Sequence, residues 1–115
     1  MGMAQRRGQA GEALAAAYFE LLGCEVLGRN LKLGGVEVDL VVADGATRVL
    51  VEVKLRSRSD FGGAARAVDG SKRERLKRAA QALGTGGGPL RIDVVALEAL
   101  DGGLLLRHYR NAITD

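Results

Sequence analysis

The chain has 115 residues, of which 47% are hydrophobic and 27% charged, and its formal net charge is +3. This length predicts one small domain over residues 1–115, and the apolar content excludes a disordered protein. No apolar run approaches the roughly 20 residues of a membrane span, and the basic N-terminus lacks a signal-peptide core. The single cysteine, Cys24, excludes an internal disulfide. We therefore expect a cytoplasmic protein with no membrane partner.

The first predicted element is a helix over Gly8–Leu22, which Gly23 ends. Its apolar residues recur at spacings of three and four, which predicts a buried stripe. The stripe consists of Ala10, Ala13, Leu14, Ala17, Tyr18 and Leu21. Glu12 lies off this stripe. A strand over Glu25–Leu33 and a turn at Gly34–Gly35 follow.

The segment 36–55 predicts a β-hairpin. Two β-branched, apolar runs flank Asp44-Gly45, a pair typical of two-residue hairpin turns. With these two residues as the turn, Glu37 lies opposite Glu52, and Asp39 is one diagonal away. Because side chains alternate between faces, one face carries Glu37, Asp39, Glu52 and Lys54, and the other carries Val36, Val38, Val51 and Val53.

The carboxylates on this face are candidate metal ligands. Like charges opposite each other destabilise a hairpin unless a cation lies between them. Mg²⁺ (or Mn²⁺) prefers such oxygen ligands and takes its remaining ligands from water and phosphate. We predict Asp39, Glu52 and Lys54 as catalytic residues of phosphodiester hydrolysis, in which the lysine orients water and stabilises negative charge. The carbonyl of Val53 is a further candidate ligand and Glu37 a secondary candidate. The alternative is a solvated face whose opposite charges pair across strands.

Basic residues are concentrated between Lys54 and Arg78, where nine basic side chains accompany three acidic ones. This excess attracts phosphate backbones through counterion release. We therefore predict nucleic acid as the partner. The predicted contacts are Arg56, Arg58, Arg66, Lys72 and Arg75, of which two lie in a Gly-rich loop over Ser57–Gly70. The alternative for each of them is an ordinary solvated side chain.

The second half of the chain predicts a helix followed by two strands. Ser71 and Glu74 form a capping box, and the buried stripe of the helix is Leu76, Ala79, Ala80 and Leu83. A Gly-rich connector leads to strands over Arg91–Leu97 and Gly103–Tyr109. The order of helix, three strands, helix and two strands predicts an α/β fold with a mixed central sheet flanked by helices.

Several of these residues match known families. Glu12, Asp39 and Glu52-Val53-Lys54 resemble the restriction-endonuclease-like, PD-(D/E)XK superfamily, and the Asp39 to Glu52 interval is similar to that of archaeal Holliday junction resolvases. Nearly the whole chain resembles the YraN family of small bacterial proteins. The matching segments are Gly11-Glu12, Gly28-Arg29-Asn30, Glu37-Val38-Asp39-Leu40, Val51-Glu52-Val53-Lys54-Leu55-Arg56, Phe61-Gly62, Lys72 with Arg75-Leu76, Arg91-Ile92-Asp93-Val94 and Asn111-Ala112.

The resemblance implies a restriction-endonuclease-like fold, with Glu12, Asp39 and Glu52 as metal ligands and Lys54 as the catalytic lysine. Asp93 also matches the family pattern, with strand-end hydrogen bonding as its alternative role. The expected function is that of a Mg²⁺-dependent DNA endonuclease, with branched DNA as a candidate substrate. The alternatives are a non-catalytic nucleic-acid-binding module with the same fold, and an interaction protein whose basic loop contacts another protein.

A homodimer is the expected working unit, because paired cuts need two centres related by a two-fold axis. The apolar run Leu104–Leu106 is the candidate dimer surface, and burial within the monomer is the alternative. His108, the only histidine, is predicted to be a surface strand residue or a dimer contact rather than a metal ligand.

Overall fold

The chain folds into a five-stranded mixed β-sheet with one helix packed on each face, in a computed structural model that describes residues 3–57 and 70–113. The elements are α1 (Met3–Leu21), β1 (Glu25–Leu33), β2 (Val36–Asp44), β3 (Thr47–Ser57), α2 (Gly70–Leu83), β4 (Leu90–Leu100) and β5 (Gly103–Tyr109), with a short 3₁₀ turn at Gly84–Gly86. The strands lie in chain order, and only β3 and β4 are parallel, the chain passing through α2 between them. This is the predicted α/β architecture, and it is consistent with a restriction-endonuclease-like fold.

The sheet separates two hydrophobic cores, which we name after the helix that covers each one. The α1-side core comprises Ala15, Ala16, Phe19, Cys24, Leu40, Val42, Val49, Val51, Val95 and Leu97. The α2-side core comprises Val38, Val41, Leu50, Leu76, Ala79, Ala80, Ile92 and Ile113. Because β3 and β4 contribute to both cores, their apolar runs are nearly continuous, as expected for strands covered on both faces.

The buried face of α1 differs from the predicted stripe. Ala15, Ala16 and Phe19 are fully buried, whereas Leu14 is 46% and Leu21 88% exposed. Ala10, Ala13 and Ala17 are also exposed, and Tyr18 is only half-buried. The helix is rich in alanine, so several faces have similar apolar content, and the large Phe19 ring decides which one is buried. The prediction was wrong, and the helix is rotated about its axis relative to it.

The β2–β3 hairpin turns at Gly45–Ala46 and not at Asp44-Gly45. Asp44 stays in the strand and pairs with Thr47, and its side chain accepts a hydrogen bond from Arg91 Nη1 at 3.0 Å. The predicted register was therefore wrong by two residues. A shift of two preserves which face each β3 side chain occupies, because the side-chain period of a strand is two.

In strand β2, the regular alternation of side chains between the two faces of the sheet is interrupted at Asp39. Val38 packs in the α2-side core, but Leu40, two residues on, packs in the α1-side core. Regular alternation would put both on one face. Opposite this point, Asn30 of β1 has a left-handed φ of 51°, and the pairing of β1 with β2 passes from Arg29↔Leu40 to Leu31↔Val38. The predicted common face of Val36, Val38, Val51 and Val53 was wrong for this reason: the first two pack on the α2 side and the last two on the α1 side.

The remaining elements agree closely with the predictions. The bounds of β1 and β5 are the predicted ones, and the buried stripe of α2 is confirmed. The helix α2 begins at Gly70, so Ser71 lies inside it and not at its cap. Cys24 is a buried free cysteine. Neither of the described helices combines the length and the apolar character that crossing a membrane requires.

Candidate functional site

Asp39 and Glu52 lie side by side where β2 and β3 diverge. The ladder between the strands is regular from Asp44↔Thr47 to Leu40↔Val51. One step further, the Asp39 carboxylate replaces the main chain as acceptor: the Val53 N–H donates to its Oδ2 at 2.8 Å. The observed register places Asp39 level with Glu52, where the sequence had predicted Glu37. The two-residue correction thus brings the two principal candidate ligands together.

Two lysines contact one oxygen of Glu52. Lys54 Nζ lies 3.3 Å and Lys72 Nζ 2.7 Å from Oε1 of this carboxylate, which is 4% exposed. Lys54 comes from the same strand, whereas Lys72 comes from the first turns of α2. Lys72 was predicted as a nucleic-acid contact, and its pairing with Glu52 was missed. The sequence gives no local signal for this contact, because the two residues are brought together by the packing of α2 on the sheet.

The Asp39 carboxyl holds its proton unusually strongly. Burial, the adjacent Glu52 and, to a smaller extent, Glu12 raise the pKa of Asp39 from 3.8 to about 7, although the Val53 hydrogen bond and Lys72 act in the opposite direction. Burial and the neighbouring Glu52 carboxylate therefore both disfavour the ionised form of Asp39.

The two lysines differ in their electrostatic environment. Burial, and then the hydrogen bond with Lys72, lower the pKa of Lys54. Burial also opposes the charged form of Lys72, but its hydrogen bonds with Glu52 and Lys54 outweigh this and raise the pKa of Lys72. Lys72 is therefore the more firmly protonated cation, and Lys54 is the one closer to neutrality.

Glu12 reaches the site because α1 is rotated relative to the sequence prediction. It lies on the sheet-facing side of the helix, next to the buried Gly11, where an added Cβ would lie 3.4 Å from the Leu97 side chain. Glu12 is half-buried, and its charge contributes to the raised pKa of Asp39. Of the residues that the resemblance joined, Asp39, Glu52 and Lys54 lie together on β2 and β3, and Glu12 of α1 acts on Asp39 through its charge.

Asp39 and Glu52 fit a Mg²⁺ or Mn²⁺ ion by their chemistry. Such an ion commonly takes one or two carboxylates and completes its shell with water and phosphate oxygens. The raised pKa of Asp39 is the observation that favours a cation here, because a divalent charge would relieve the repulsion. Within the described residues, no group of three or more His, Cys, Asp or Glu side chains is close enough to form a complete protein cage. Water or substrate oxygens would have to supply most ligands.

The two carboxylates open into a cavity of about 450 Å³ between α2 and the β1–β2 hairpin. Its lining residues are Lys32, Gly35, Val36, Glu37, Asp39, Glu52, Lys72, Arg75, Leu76 and Arg78. Glu37 is exposed at the cavity and does not lie opposite Glu52. Of the predicted nucleic-acid contacts, Lys72 and Arg75 line the cavity and Arg56 is half-buried on β3. Arg58 and Arg66 lie outside the described residues.

A second polar cluster surrounds Asp93 and was not predicted as such. Asp93 is fully buried, and it accepts hydrogen bonds from Arg91 Nε at 3.0 Å and from the Asn111 backbone N–H at 2.9 Å. His108 Nε2 donates to its other oxygen at 2.7 Å, and the Tyr18 hydroxyl donates to His108 Nδ1 at 2.8 Å. The prediction of a surface His108 was wrong, because its side chain is only 10% exposed. Strand-end hydrogen bonding is the observed role of Asp93.

Comparison with known proteins gives consistent matches. The profile described as uncharacterised protein family UPF0102 matches residues 11–97. A UPF0102 protein of Halorhodospira halophila is 46% identical over 95 residues, which cover 82% of this chain and 78% of the relative. A UPF0102 protein of Pseudomonas putida is 43% identical over 98 residues, covering 81% and 80%. A UPF0102 protein of Symbiobacterium thermophilum is 38% identical over 115 residues, covering 96% and 98%.

Proposed function

The chain belongs to the uncharacterised protein family UPF0102, and we propose from the geometry of its site that it is a metal-dependent endonuclease that hydrolyses phosphodiester bonds in DNA. The family membership confirms the resemblance to the YraN family that the short motifs predict. The observation that carries the proposal is the crowding of two carboxylates, one with a pKa near 7, beside two lysines in an open cavity. Ionisable groups whose pKa is shifted by burial and by a like charge are frequent at catalytic sites, and elsewhere they reduce folding stability without a benefit.

Asp39 and Glu52 are the residues that would hold the ion, with the Val53 carbonyl and Glu12 as further proposed ligands. A bound Mg²⁺ supplies Lewis-acid activation of a phosphate oxygen and lowers the pKa of a bound water. The protein fixes the Asp39 carboxylate through the Val53 N–H, so its second oxygen is free to face the cavity. Such preorganisation reduces the reorganisation needed when a substrate binds.

The two lysines have separate proposed roles. Lys72, whose pKa is raised, contributes a permanent positive charge that stabilises negative charge developing on the phosphorus oxygens. Lys54, whose pKa is lowered, orients the attacking water, and the neutral form of its amine is the form that accepts the proton of this water at Nζ. The Nζ atoms of both lysines contact Glu52, so the position of this carboxylate determines where the two amino groups lie.

DNA cleavage by the purified protein tests the proposal directly. Linear, nicked, flapped and four-way DNA are incubated with Mg²⁺, with Mn²⁺, or with EDTA. We expect metal-dependent cleavage that Glu52→Gln or Lys54→Ala abolishes while DNA binding survives, because both residues act on the transition state. Asp101→Asn, at the exposed β4–β5 turn, is the control that should cleave normally.

A second candidate is a non-catalytic module that binds nucleic acid. The observation that favours it is the 2.7 Å contact between Lys72 and Glu52, because an ammonium group already neutralises part of the charge that a metal would relieve. Binding to every DNA form with no cleavage under either metal would establish this alternative.

We also propose that two copies associate through the β5 edge. Strand β5 is at one edge of the sheet, and its residue Leu104 is 47% exposed, whereas Leu106 packs against the α1-side core. A paired edge would cover apolar surface and exposed backbone groups together. Light scattering over a concentration series, with and without a four-way junction, tests this; a monomer in both conditions would leave a single-strand nicking or binding role.

A further inference from the structure

The cavity beside the carboxylates has a basic side that the proposed reaction does not use. Lys32 of β1 and Arg78 of α2 line it together with Arg75, and these three residues are its basic side. Glu37, Asp39 and Glu52 also line the cavity and are its acidic side, with Glu37 the cross-strand neighbour of Lys32. Lys32 and Arg78 are 46 positions apart in the chain, and neither was a predicted contact. The fold brings them together because the β1–β2 hairpin packs against α2.

These basic groups have a different environment from the lysines at Glu52. Lys32, Arg75 and Arg78 are exposed, and within residues 3–57 and 70–113 none of them forms an ion pair. By contrast, Arg91 and Arg107 bind carboxylates of the sheet. The basic side of the cavity therefore has charge available for a ligand, whereas its acidic side is already in contact with Lys54 and Lys72.

The basic side is held in place by close backbone packing. Gly34, at the tip of the β1–β2 hairpin, has a left-handed φ of 58°, and a Cβ there would lie 3.3 Å from the Arg78 carbonyl oxygen and 3.4 Å from the Ala82 Cβ. Only a glycine combines this conformation with this approach. The hairpin that carries Lys32 and the helix that carries Arg78 are thus fixed against each other, so the cavity is part of the folded structure.

We propose that Lys32 and Arg78 bind a backbone phosphate of single-stranded nucleic acid, one or two nucleotides away from the phosphate at Asp39 and Glu52. The inference rests on the proposed function, since it takes the carboxylates as the reaction centre. Neither cation forms an ion pair within the part of the chain that the structure describes, and two such groups suit the negative charge of a phosphodiester. The cavity of about 450 Å³ has the size of a small-ligand pocket, which matches one nucleotide unit. We therefore place a single strand in it.

Binding measured without cleavage tests this subsite. Fluorescence anisotropy in EDTA gives the Kd of a labelled single-stranded oligonucleotide and of its duplex over a salt series. The test variant is Lys32→Gln/Arg78→Gln, with each single substitution beside it. The matched control is Arg73→Gln/Arg107→Gln, which removes the same charge from another position of α2 and from β5 without touching the cavity lining.

For the single strand, we expect the test variant to lose at least tenfold in affinity, and the slope of log Kd against log salt to fall by about 0.7, the value for one lost phosphate contact. The control should retain most of its affinity, and the duplex should respond less than the single strand. Equal losses in the test and control variants would overturn the subsite, and so would a larger loss for the duplex. Thermal unfolding checks that each variant is folded. If the double variant does not fold, the two single variants are compared with the control instead.

The outcome is separable from that of the proposed function. If the protein never cleaves DNA but Lys32→Gln/Arg78→Gln specifically weakens single-strand binding, the phosphate subsite is supported and the endonuclease proposal is rejected. Normal binding and normal cleavage by Lys32→Gln/Arg78→Gln would retain the endonuclease and reject the subsite.

Discussion

Two buried acidic centres lie in the same sheet and are compensated in opposite ways. At Asp93, every contact is supplied by the fold: Arg91, His108 and the Asn111 backbone donate to its two oxygens, and Tyr18 continues the network through His108. At the other centre, Asp39 receives one backbone hydrogen bond and lies beside a second carboxylate, Glu52.

The difference indicates what each centre is for. A fully satisfied buried carboxylate ties elements together, here α1, β4, β5 and the segment after β5. Two crowded carboxylates, one with a raised pKa, make the folded state less stable, and a bound cation would restore this stability. We therefore assign the Asp93 cluster to stability and the Asp39–Glu52 pair to binding and catalysis, and the following predictions test this division.

The largest expected effect is on folding stability. Asp93→Asn leaves Arg91 and His108 without their buried anion and should cost about 3–5 kcal/mol, the usual loss when one partner of a buried ion pair is removed. Asp39→Asn removes a repelling charge and should leave the metal-free stability unchanged or increase it. Urea denaturation at neutral pH measures both. Equal destabilisation by the two substitutions would contradict the division.

The next effect is a pH dependence that belongs to Asp39. Its pKa in the folded protein is about 7, above its value in the unfolded chain, so the protonated carboxyl stabilises the fold fully below pH 4. This contribution is lost as the pH rises through 7, and it amounts to a few kcal/mol because one pKa unit corresponds to about 1.4 kcal/mol. Denaturation from pH 4 to 8 should show this decline in the wild type and not in Asp39→Asn. Added Mg²⁺ should reduce the decline.

A smaller effect is expected at Lys72. Lys72→Met removes the cation closest to Glu52 and should destabilise the metal-free protein by about 1–3 kcal/mol, the cost of a lost charged hydrogen bond. The control is Lys77→Met, whose partner Glu74 is largely exposed, so its loss should be below about 1 kcal/mol. Mg²⁺ should restore more stability to Lys72→Met than to the control. The same restoration in both would argue against competition between Lys72 and a metal.

The smallest effect is expected at Tyr18. Tyr18→Phe removes the hydroxyl that donates to His108 and should cost about 1 kcal/mol of stability. Metal affinity should not change, because the hydroxyl belongs to the Asp93 network. Calorimetric metal titration of this variant checks the point, and a changed affinity would show that the two centres are coupled.

The sequence predicted the element order and the candidate site better than the packing details. The bounds of β1 and β5 and the acidic pair with Lys54 follow from local patterns. The buried face of α1 could not be predicted from such patterns, because an alanine-rich helix has no single apolar stripe. The turn was misplaced because Asp44 is held in its strand by Arg91, which is distant in sequence.

The site's surroundings show the same limit. Lys72 was assigned to nucleic acid because its contact with Glu52 depends on the packing of α2, and His108 was placed at the surface because neither Asp93 nor Tyr18 is near it in the chain. Contacts of this kind become visible only when the tertiary structure is known.

The central claim is that Asp39 and Glu52 form a divalent-cation site, and isothermal titration with Mn²⁺ and Mg²⁺ tests it most directly. Wild type, Asp39→Asn, Glu52→Gln and the control Asp101→Asn are titrated at pH 8, where the Asp39 carboxyl is largely ionised. The account predicts binding by the wild type and the control, and its loss in both site variants. Equal metal affinity in the wild type and Asp39→Asn would contradict the account.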